Sequence, residues 1–421
     1  MSLRAQPTLS IVVTSRNDDR GAEQGGRTSL FVKGLLHQTR RVGLRAELIL
    51  VEWNPPAQAP RLHAVLPKPG PDDTLAIRCV TVPSEIHHRY RHGDTIPLYQ
   101  MIAKNVGIRR AKADYVLCTN VDLLFSDQLC EVLAGGSFDP HAFYRANRVD
   151  VPDALDANLD VPAQLDFCAR NVLRRLGFKG GPVRSASLPP DPRFPRILAP
   201  PKDPNWRYVL YLRVIDLAMA GAAWASGVFD RAIPKAQRAV ERGVHRAAAG
   251  ALKGVRAANS VFERAVDVAL GARHRNPPEP LEPVPVPPPK SKELIAYDAL
   301  DREACGDFML MSKHAWLDIQ GHVELDLDAG HLDSLALCAA AALGYKQVVL
   351  PAEACTYHME HPLGWSSLSG VARMRHVARR PGLDFQTFFD AALELLRTGG
   401  RLDLNPPDWG LWGQKLEEHA L

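Results

Sequence analysis

Three side chains that lie far apart in the sequence have the chemistry of a metal-assisted site. Asp122 closely follows an apolar run at 115–119, and His358 follows another at 348–351. Mg²⁺ and Mn²⁺ prefer carboxylate oxygens together with substrate phosphates, and a neutral imidazole can also bind Mn²⁺. A further carboxylate, Asp333, has the chemistry of a general base for a substrate hydroxyl.

The elements that must position these groups are visible as apolar runs. Residues 77–82 and 115–119 are strand candidates, and residues 11–14 and 48–52 are β-branched or aliphatic runs without polar alternation. Such runs are typical of parallel strands that are covered on both faces. Because an open α/β sheet binds ligands at the carboxyl ends of its strands, Asp122 is predicted to lie at the binding edge.

Several blocks of the chain resemble the GT-A glycosyltransferases, specifically their large family 2. These blocks are Ala103-x-Asn105-x-Gly107-Ile108-x-x-Ala111, Asp114-Tyr115-Val116, Asn120-Val121-Asp122, residues 9–18, residues 47–54 and the segment from Cys305 to His361. The resemblance is absent between the blocks.

The resemblance implies a fold and a reaction. The fold is a GT-A-like, Rossmann-like α/β domain with a mixed sheet flanked by helices. The reaction is transfer of a sugar from a nucleotide diphosphate sugar to a hydroxyl of a glycan or lipid-linked acceptor, with inversion. Asp122 and His358 would hold Mn²⁺ or Mg²⁺, and Asp333 would deprotonate the acceptor.

Two positions depart from the family pattern. Asn120 stands where the family usually has the first Asp of an Asp-x-Asp motif, and Leu332 replaces the Glu of a Glu-Asp pair. Two other classes of function therefore stay open. One is a nucleotidyltransferase on a related fold, although its Gly-rich phosphate loop is absent after the first strand. The other is a non-catalytic sugar-binding or membrane-associated scaffold.

The three central residues also have ordinary interpretations. Asp122 could cap the turn after its strand, Asp333 could be a helix N-cap, and a lone His358 could be structural. His361 competes with His358 for the metal, and two acidic residues of a nearby loop, Asp326 and Asp328, compete with Asp333.

Polar residues after the predicted strands are the candidates for binding the donor. Arg16 could pair with phosphate, Asp18 and Glu52 with the ribose or base, and Asp307 with sugar hydroxyls. Glycine at 306 would allow close approach of the backbone to the sugar. The predicted donor-binding set is Thr14, Arg16, Asn17, Asp18, Glu52, Asn105, Asn120, Gly306 and Asp307.

Composition narrows the class of protein. The chain has 421 residues, of which 46% are apolar, enough for one large α/β domain with insertions. Its net charge of +4 gives no support for a nucleic-acid partner. Seven cysteines without CxxC spacing indicate buried thiols in a reducing cytoplasm, and no secretory signal is recognised at the start.

The pattern predicts six segments. They are a nucleotide-sugar-binding half at 1–130, an irregular connection at 131–204 with a helix at 163–176, a basic helical insertion at 205–275, a Pro-rich linker at 276–292, an acceptor half at 293–365, and a C-terminal tail at 366–421 with an amphipathic helix at 385–397.

The basic insertion suggests a location. Residues 206–272 combine an apolar stretch with apolar positions at helical spacing and arginines between them. They could lie on an anionic membrane surface, or pack as a helical hairpin on the protein itself. The resulting expectation is a cytoplasmic protein, peripheral on the inner face of the membrane.

Overall fold

The computed structural model describes residues 6–17, 26–152, 154–177, 183–184, 291–360, 381–399 and 405–421. The chain divides into two compact units. The second unit, Pro190–Lys290 with Pro362–Gln386, lies almost wholly outside the described residues. The predictions for 205–275 and for most of the linker at 276–292 therefore stay predictions.

The described residues form thirteen strands and ten α-helices, all in the first unit except the first two residues of the last helix. The strands are β1 Leu9–Ser15, β2 Ala46–Trp53, β3 Leu75–Val82, β4 Tyr115–Thr119, β5 Leu123–Phe125, β6 Ala142–Arg145, β7 Asn147–Val151, β8 Arg174–Leu176, β9 Val183–Arg184, β10 Phe308–Ser312, β11 Lys346–Val349, β12 Cys355–Met359 and β13 Glu417–Ala420. The helices are α1 Arg27–Val42, α2 Leu62–Val65, α3 Ser84–His87, α4 Gln100–Arg110, α5 Asp127–Gly135, α6 Val161–Arg170, α7 Lys292–Ala299, α8 Lys313–Asp318, α9 Leu332–Ala342 and α10 Phe385–Thr398.

A mixed eight-stranded sheet forms the centre of this unit. Its strand order is β11-β6-β10-β4-β1-β2-β3-β13. The strands β4, β1, β2 and β3 are parallel, whereas β10 and β13 run antiparallel to their neighbours. All seven residues of β1 and all eight of β2 are buried, as the unbroken apolar runs predicted.

Helices cover both faces of the sheet. Ile11 and Val13 of β1 belong to a core cluster that includes Phe31 of α1. Val12 points to the opposite face, where α4 approaches so closely that only the hydrogen of Gly107 fits against it. The α/β class with a mixed sheet flanked by helices is therefore confirmed.

A second sheet lies beside the first, with the strand order β5-β12-β7-β8-β9. The chain leaves the central sheet at Thr119, the last residue of β4, and enters the second sheet at Leu123 in β5. Asn120, Val121 and Asp122 form this crossover between the two sheets. Strand β12 pairs with β5 on one side and with β7 on the other.

The structure differs from the sequence prediction between 131 and 204. Residues expected to be irregular supply β6 to the central sheet and β7 and β8 to the second. The helix predicted at 163–176 ends at Arg170, and Arg174–Leu176 instead pairs with β7. His358, expected after a strand, lies within β12.

The C-terminal tail contains the predicted amphipathic helix, α10, which buries Phe388 and Phe389. It also contains an unpredicted strand, β13, which pairs with β3 at one edge of the central sheet. Among the described residues, no helix combines the length and apolar character needed to cross a membrane.

Candidate functional site

The crossover after β4 is fixed to two other segments. The hydroxyl of Thr119 donates to the backbone carbonyl of Asp307 at 2.6 Å. Asn120 donates its amide to a carboxylate oxygen of Asp307 at 2.7 Å and accepts from Gln100, at the start of α4, at 2.7 Å. The predicted donor-binding residues Asn120 and Asp307 therefore lie in direct contact.

Asp122 and His358 also lie in contact, as the metal hypothesis requires. Nε2 of His358 is 3.3 Å from Oδ2 of Asp122, and its Nδ1 is 3.0 Å from Oδ1 of Asp150. Burial and the nearby charge of Arg148 lower the pKa of His358, but the two carboxylates outweigh them and raise it to about 9. Without a metal ion, the ring is therefore an imidazolium between two carboxylates.

Asp150 is held by two buried arginines. Arg148 Nε donates to its Oδ1 at 2.6 Å, and Arg174 Nε donates to its Oδ2 at 2.7 Å. Burial raises the pKa of Asp150, but hydrogen bonding to His358 and the charge of Arg148 dominate and hold it well below its usual range. These interactions therefore favour the charged carboxylate form of Asp150.

Arg148 connects the two halves of the site. Besides Asp150, its guanidinium contacts Oδ2 of Asp307 at 2.8 Å. Burial lowers the pKa of Arg148, yet these two carboxylates raise it above its usual value. The crossover, Asp307 and His358 thus belong to one continuous network of charged hydrogen bonds.

Lys104 is a fully buried lysine beneath this network. Its Nζ donates to the carbonyl of Gly306 at 2.8 Å. Burial lowers its pKa, and the charges of Asp307, Asp333 and Asp122 act against that effect. Three carboxylates from separate parts of the sequence therefore act electrostatically on one buried ammonium group.

Asp333 is in the first turn of α9, next to the turn at Cys305–Asp307. One carboxylate oxygen accepts from the backbone of Ser334 at 2.8 Å. The other lies so close to Gly306 that a Cβ there would be 2.8 Å from it. The candidate base therefore lies beside the segment predicted to contact the donor sugar.

The residues after β1 lie in a separate part of the site. Thr14 is buried within the strand, Arg16 donates to the carbonyl of Asn54 at 2.9 Å, and Asn17 donates to the carbonyl of Pro60 at 2.6 Å. Asp18 lies outside the described residues.

Glu52 is fully buried at the end of β2. It accepts from the backbone N–H of Leu62 at 2.9 Å and from the hydroxyl of Thr81 at 3.3 Å. Burial raises its pKa against these hydrogen bonds. Both carboxylate oxygens of Glu52 therefore accept hydrogen bonds from within the protein. The predicted contact between Glu52 and the ribose or base has no support from this placement.

A cleft of about 610 Å³ opens beyond the ends of β1 and β2. Arg16 and Asn54 line one part, and residues of the segment 84–97, among them His88 and Asp94, line another. His87 of that segment is buried, accepting from Trp53 Nε1 at 2.8 Å and contacting the carbonyl of Gly93 at 2.8 Å, so its role is structural.

Asn105 is placed in the interior. Its amide donates to the carbonyl of His322 and to the carboxylate of Glu324, and its oxygen accepts from the backbone of His322 at 2.8 Å. The structure therefore shows a packing role for Asn105, and its contact with a donor stays a prediction.

Five residues of the site were missed by the sequence interpretation, namely Gln100, Lys104, Arg148, Asp150 and Arg174. A signal existed for two of them. Arg148 and Asp150 are alternate residues in the segment Asn-Arg-Val-Asp-Val, so as a strand they share one face. Their partners, however, lie elsewhere in the sequence.

The two candidate metal ligands, Asp122 and His358, differ in the atoms they offer to a cation. Asp122 supplies oxygen and His358 nitrogen, a pair that suits Mn²⁺ and, through Asp122, Mg²⁺. Over the ranges described, no group of three or more His, Cys, Asp or Glu side chains is arranged to hold a metal ion. Within the described part of the chain, Asp122 and His358 are thus the two candidate ligands, and a bound diphosphate would have to supply others.

A scan against protein-family models finds no matching model, and a search of the curated proteins finds no significant match.

Proposed function

We propose that this protein is a GT-A-like glycosyltransferase that moves a sugar from a nucleotide diphosphate sugar to an acceptor hydroxyl. The observation that carries the proposal is the contact of Asp122 with His358 at the end of β4. The same crossover is hydrogen-bonded to Asp307, and the charges of Asp307 and Asp333 both act on the buried Lys104.

The cleft beyond β1 and β2 suits the nucleotide. It lies at the carboxyl ends of parallel strands, where open α/β sheets bind their ligands. Arg16 lines it and could pair with a phosphate oxygen. Asp307, already oriented by Asn120 and Arg148, could accept hydrogen bonds from the sugar.

Asp122 and His358 would hold Mn²⁺ or Mg²⁺. When bound, the cation would neutralise the negative charge that grows on the departing diphosphate. Lys104 would contribute a fixed positive charge and keep the Gly306 carbonyl in place.

Asp333 would act on the acceptor. It would accept the hydroxyl proton while the acceptor oxygen forms a bond to the anomeric carbon. The bond from that carbon to the diphosphate oxygen breaks, and its electron pair leaves with the nucleoside diphosphate. A single displacement of this kind inverts the anomeric carbon.

The testing experiment is calorimetric titration of the full chain with nucleoside diphosphates, with and without Mn²⁺. Asp122→Ala should abolish metal-dependent binding. Asp114→Ala, an exposed carboxylate just before the same strand, is the matched control and should bind normally. Undiminished binding by Asp122→Ala would overturn the proposed site. If binding does depend on Asp122, a thermal-shift panel of nucleotide sugars with Mn²⁺ would identify the donor.

A measurement of sugar transfer distinguishes a glycosyltransferase from a non-catalytic binding protein. A nucleotide sugar that raises the melting temperature is incubated with the protein and Mn²⁺. Nucleoside diphosphate should be released slowly, even without an acceptor. Metal-dependent binding without any release or transfer would favour the non-catalytic function. The membrane location of 206–272 and the lipid-linked acceptor stay predictions.

A further inference from the structure

We propose that Asp150 is a positioning residue that fixes the His358 imidazole with Nε2 directed towards Asp122 and the cation. This inference rests on the proposed function. It adds to the site a residue that the sequence interpretation missed, in a role exerted through His358.

The backbone itself brings the pair together. In the parallel pairing of β7 with β12, Asp150 is the register partner of His358. Strand β12 also pairs with β5, where Leu123 is opposite His358 and directly follows Asp122. The three residues are therefore placed by adjacent strands of one sheet, which is a rigid support for a ligand.

The Asp150 carboxylate has a fixed orientation. It is fully buried, and Arg148 and Arg174 each donate to one of its oxygens, at 2.6 and 2.7 Å. A carboxylate held from both sides presents one direction to the ring of His358. Nδ1 of that ring lies 3.0 Å from Asp150, so Nδ1 is the nitrogen that keeps its hydrogen.

The other ring nitrogen is then left for the metal. A histidine ligand generally donates its second N–H to a carboxylate or carbonyl, which fixes the tautomer and increases the basicity of the ligating nitrogen. Here the second ring nitrogen, Nε2, is the one that faces Asp122, at 3.3 Å. Loss of such an outer partner typically weakens metal binding roughly 10- to 100-fold.

The first test is Mn²⁺ affinity, measured by electron paramagnetic resonance on the full chain. Asp150→Asn should weaken binding roughly 10- to 100-fold, and Asp150→Glu should restore part of it. Asp166→Asn, which removes an exposed ion pair with Arg170, is the control and should bind as the wild type does. Normal Mn²⁺ affinity in a folded Asp150→Asn protein would overturn the inference.

The second test needs no variant of Asp150, which matters because its loss removes one carboxylate partner from each of two buried arginines, Arg148 and Arg174. Long-range ¹⁵N–¹H spectra of the wild type with Cd²⁺, with His358 assigned by comparison with His358→Gln, report the ligating nitrogen. Coordination through Nε2 with a proton on Nδ1 is expected. Coordination through Nδ1 would refute the inference.

Different outcomes would refute the proposed metal site and the positioning role of Asp150. If Asp122→Ala binds Mn²⁺ normally, the proposed site itself is wrong. If Asp122→Ala loses Mn²⁺ while Asp150→Asn keeps it, the site stands and the positioning role of Asp150 is wrong.

Discussion

The carboxylate of Asp333 is packed against Gly306, so that a Cβ at position 306 would stand 2.8 Å from Oδ2 of Asp333. Real Cβ atoms do not approach this closely, so any larger residue at 306 must displace the candidate base. Gly306 therefore leaves room for the carboxylate of Asp333, in addition to any close approach of the donor that a glycine would permit.

Gly306→Ala should consequently reduce transfer more than stability. We expect a fall of roughly 10- to 100-fold in the transfer rate, because small displacements of a catalytic group are costly. The melting temperature should change little, since the displaced atom ends a side chain. Gly135→Ala is the control, because no heavy atom lies within 4 Å of its added Cβ. An unchanged transfer rate in Gly306→Ala would contradict the placement of the base.

Asp333→Asn should separate binding from chemistry. Asparagine keeps an acceptor for the Ser334 N–H but cannot take the acceptor proton. Calorimetry should show normal binding of nucleoside diphosphate with Mn²⁺, while transfer falls roughly 10²- to 10⁴-fold. Asp328→Asn tests the nearby competitor. If that variant loses transfer and Asp333→Asn does not, the base has been assigned to the wrong residue.

Mn²⁺ binding should strengthen as the pH rises from 6 to 9. Asp122 and Asp150 outweigh the effects of burial and Arg148, so the pKa of His358 is raised to about 9 and its proton must leave before Nε2 can bind a metal. We expect an increase of roughly tenfold per pH unit below the pKa. Titrations at pH 6, 7 and 8 measure it, and His358→Gln should flatten the dependence. A wild-type affinity independent of pH would show that His358 is not a ligand.

Gly107 and Val12 test the packing of α4 on the sheet. A Cβ at 107 would lie 2.3 Å from Cγ1 of Val12. Gly107→Ala should therefore lower the free energy of unfolding by about 1–3 kcal/mol, as overpacked cores do. Adding Val12→Ala should recover part of the loss in urea unfolding. Equal stability of Gly107→Ala and Gly135→Ala would show that the contact is not tight.

Local pattern was sufficient for the buried parallel strands. Residues 115–119 were predicted as a strand and form β4 with the same bounds. The predicted runs at 11–14, 48–52 and 77–82 lie within β1, β2 and β3. β1 and β2 are buried throughout because both faces of these strands are covered, and that requirement is visible in a short window of sequence.

Polar strands could not be predicted in this way. β13 has the sequence Glu-Glu-His-Ala, which is unfavourable for a strand, and it is held by pairing with β3 and by a 2.7 Å contact of Arg78 with Glu418. The same reason applies to Arg148 and Asp150. Their ionic partners are distant in the sequence, so no local pattern reveals the network.

Glu324 connects the tail to the interior. Its carboxylate accepts from Asn105 at 2.9 Å and from the backbone of Gly410 at 2.7 Å. Burial outweighs these hydrogen bonds and raises its pKa to about 7. Because the folded-state pKa lies above the usual value of 4.5, the stability from Glu324 is complete below pH 4.5 and is lost as the pH rises through about 7.

Glu324→Gln should therefore stabilise the protein at high pH. Glutamine keeps a carbonyl acceptor and has no charge to bury, so the gain over the wild type should be on the order of 2 kcal/mol at pH 8 and much smaller at pH 5. Melting curves at the two pH values measure the difference. Glu353→Gln, at an exposed position, should show no such pH dependence. An equal change in melting temperature at both pH values would contradict this prediction. It would show that the pKa of Glu324 does not change on unfolding, and that the buried carboxylate is not the source of a pH-dependent stability.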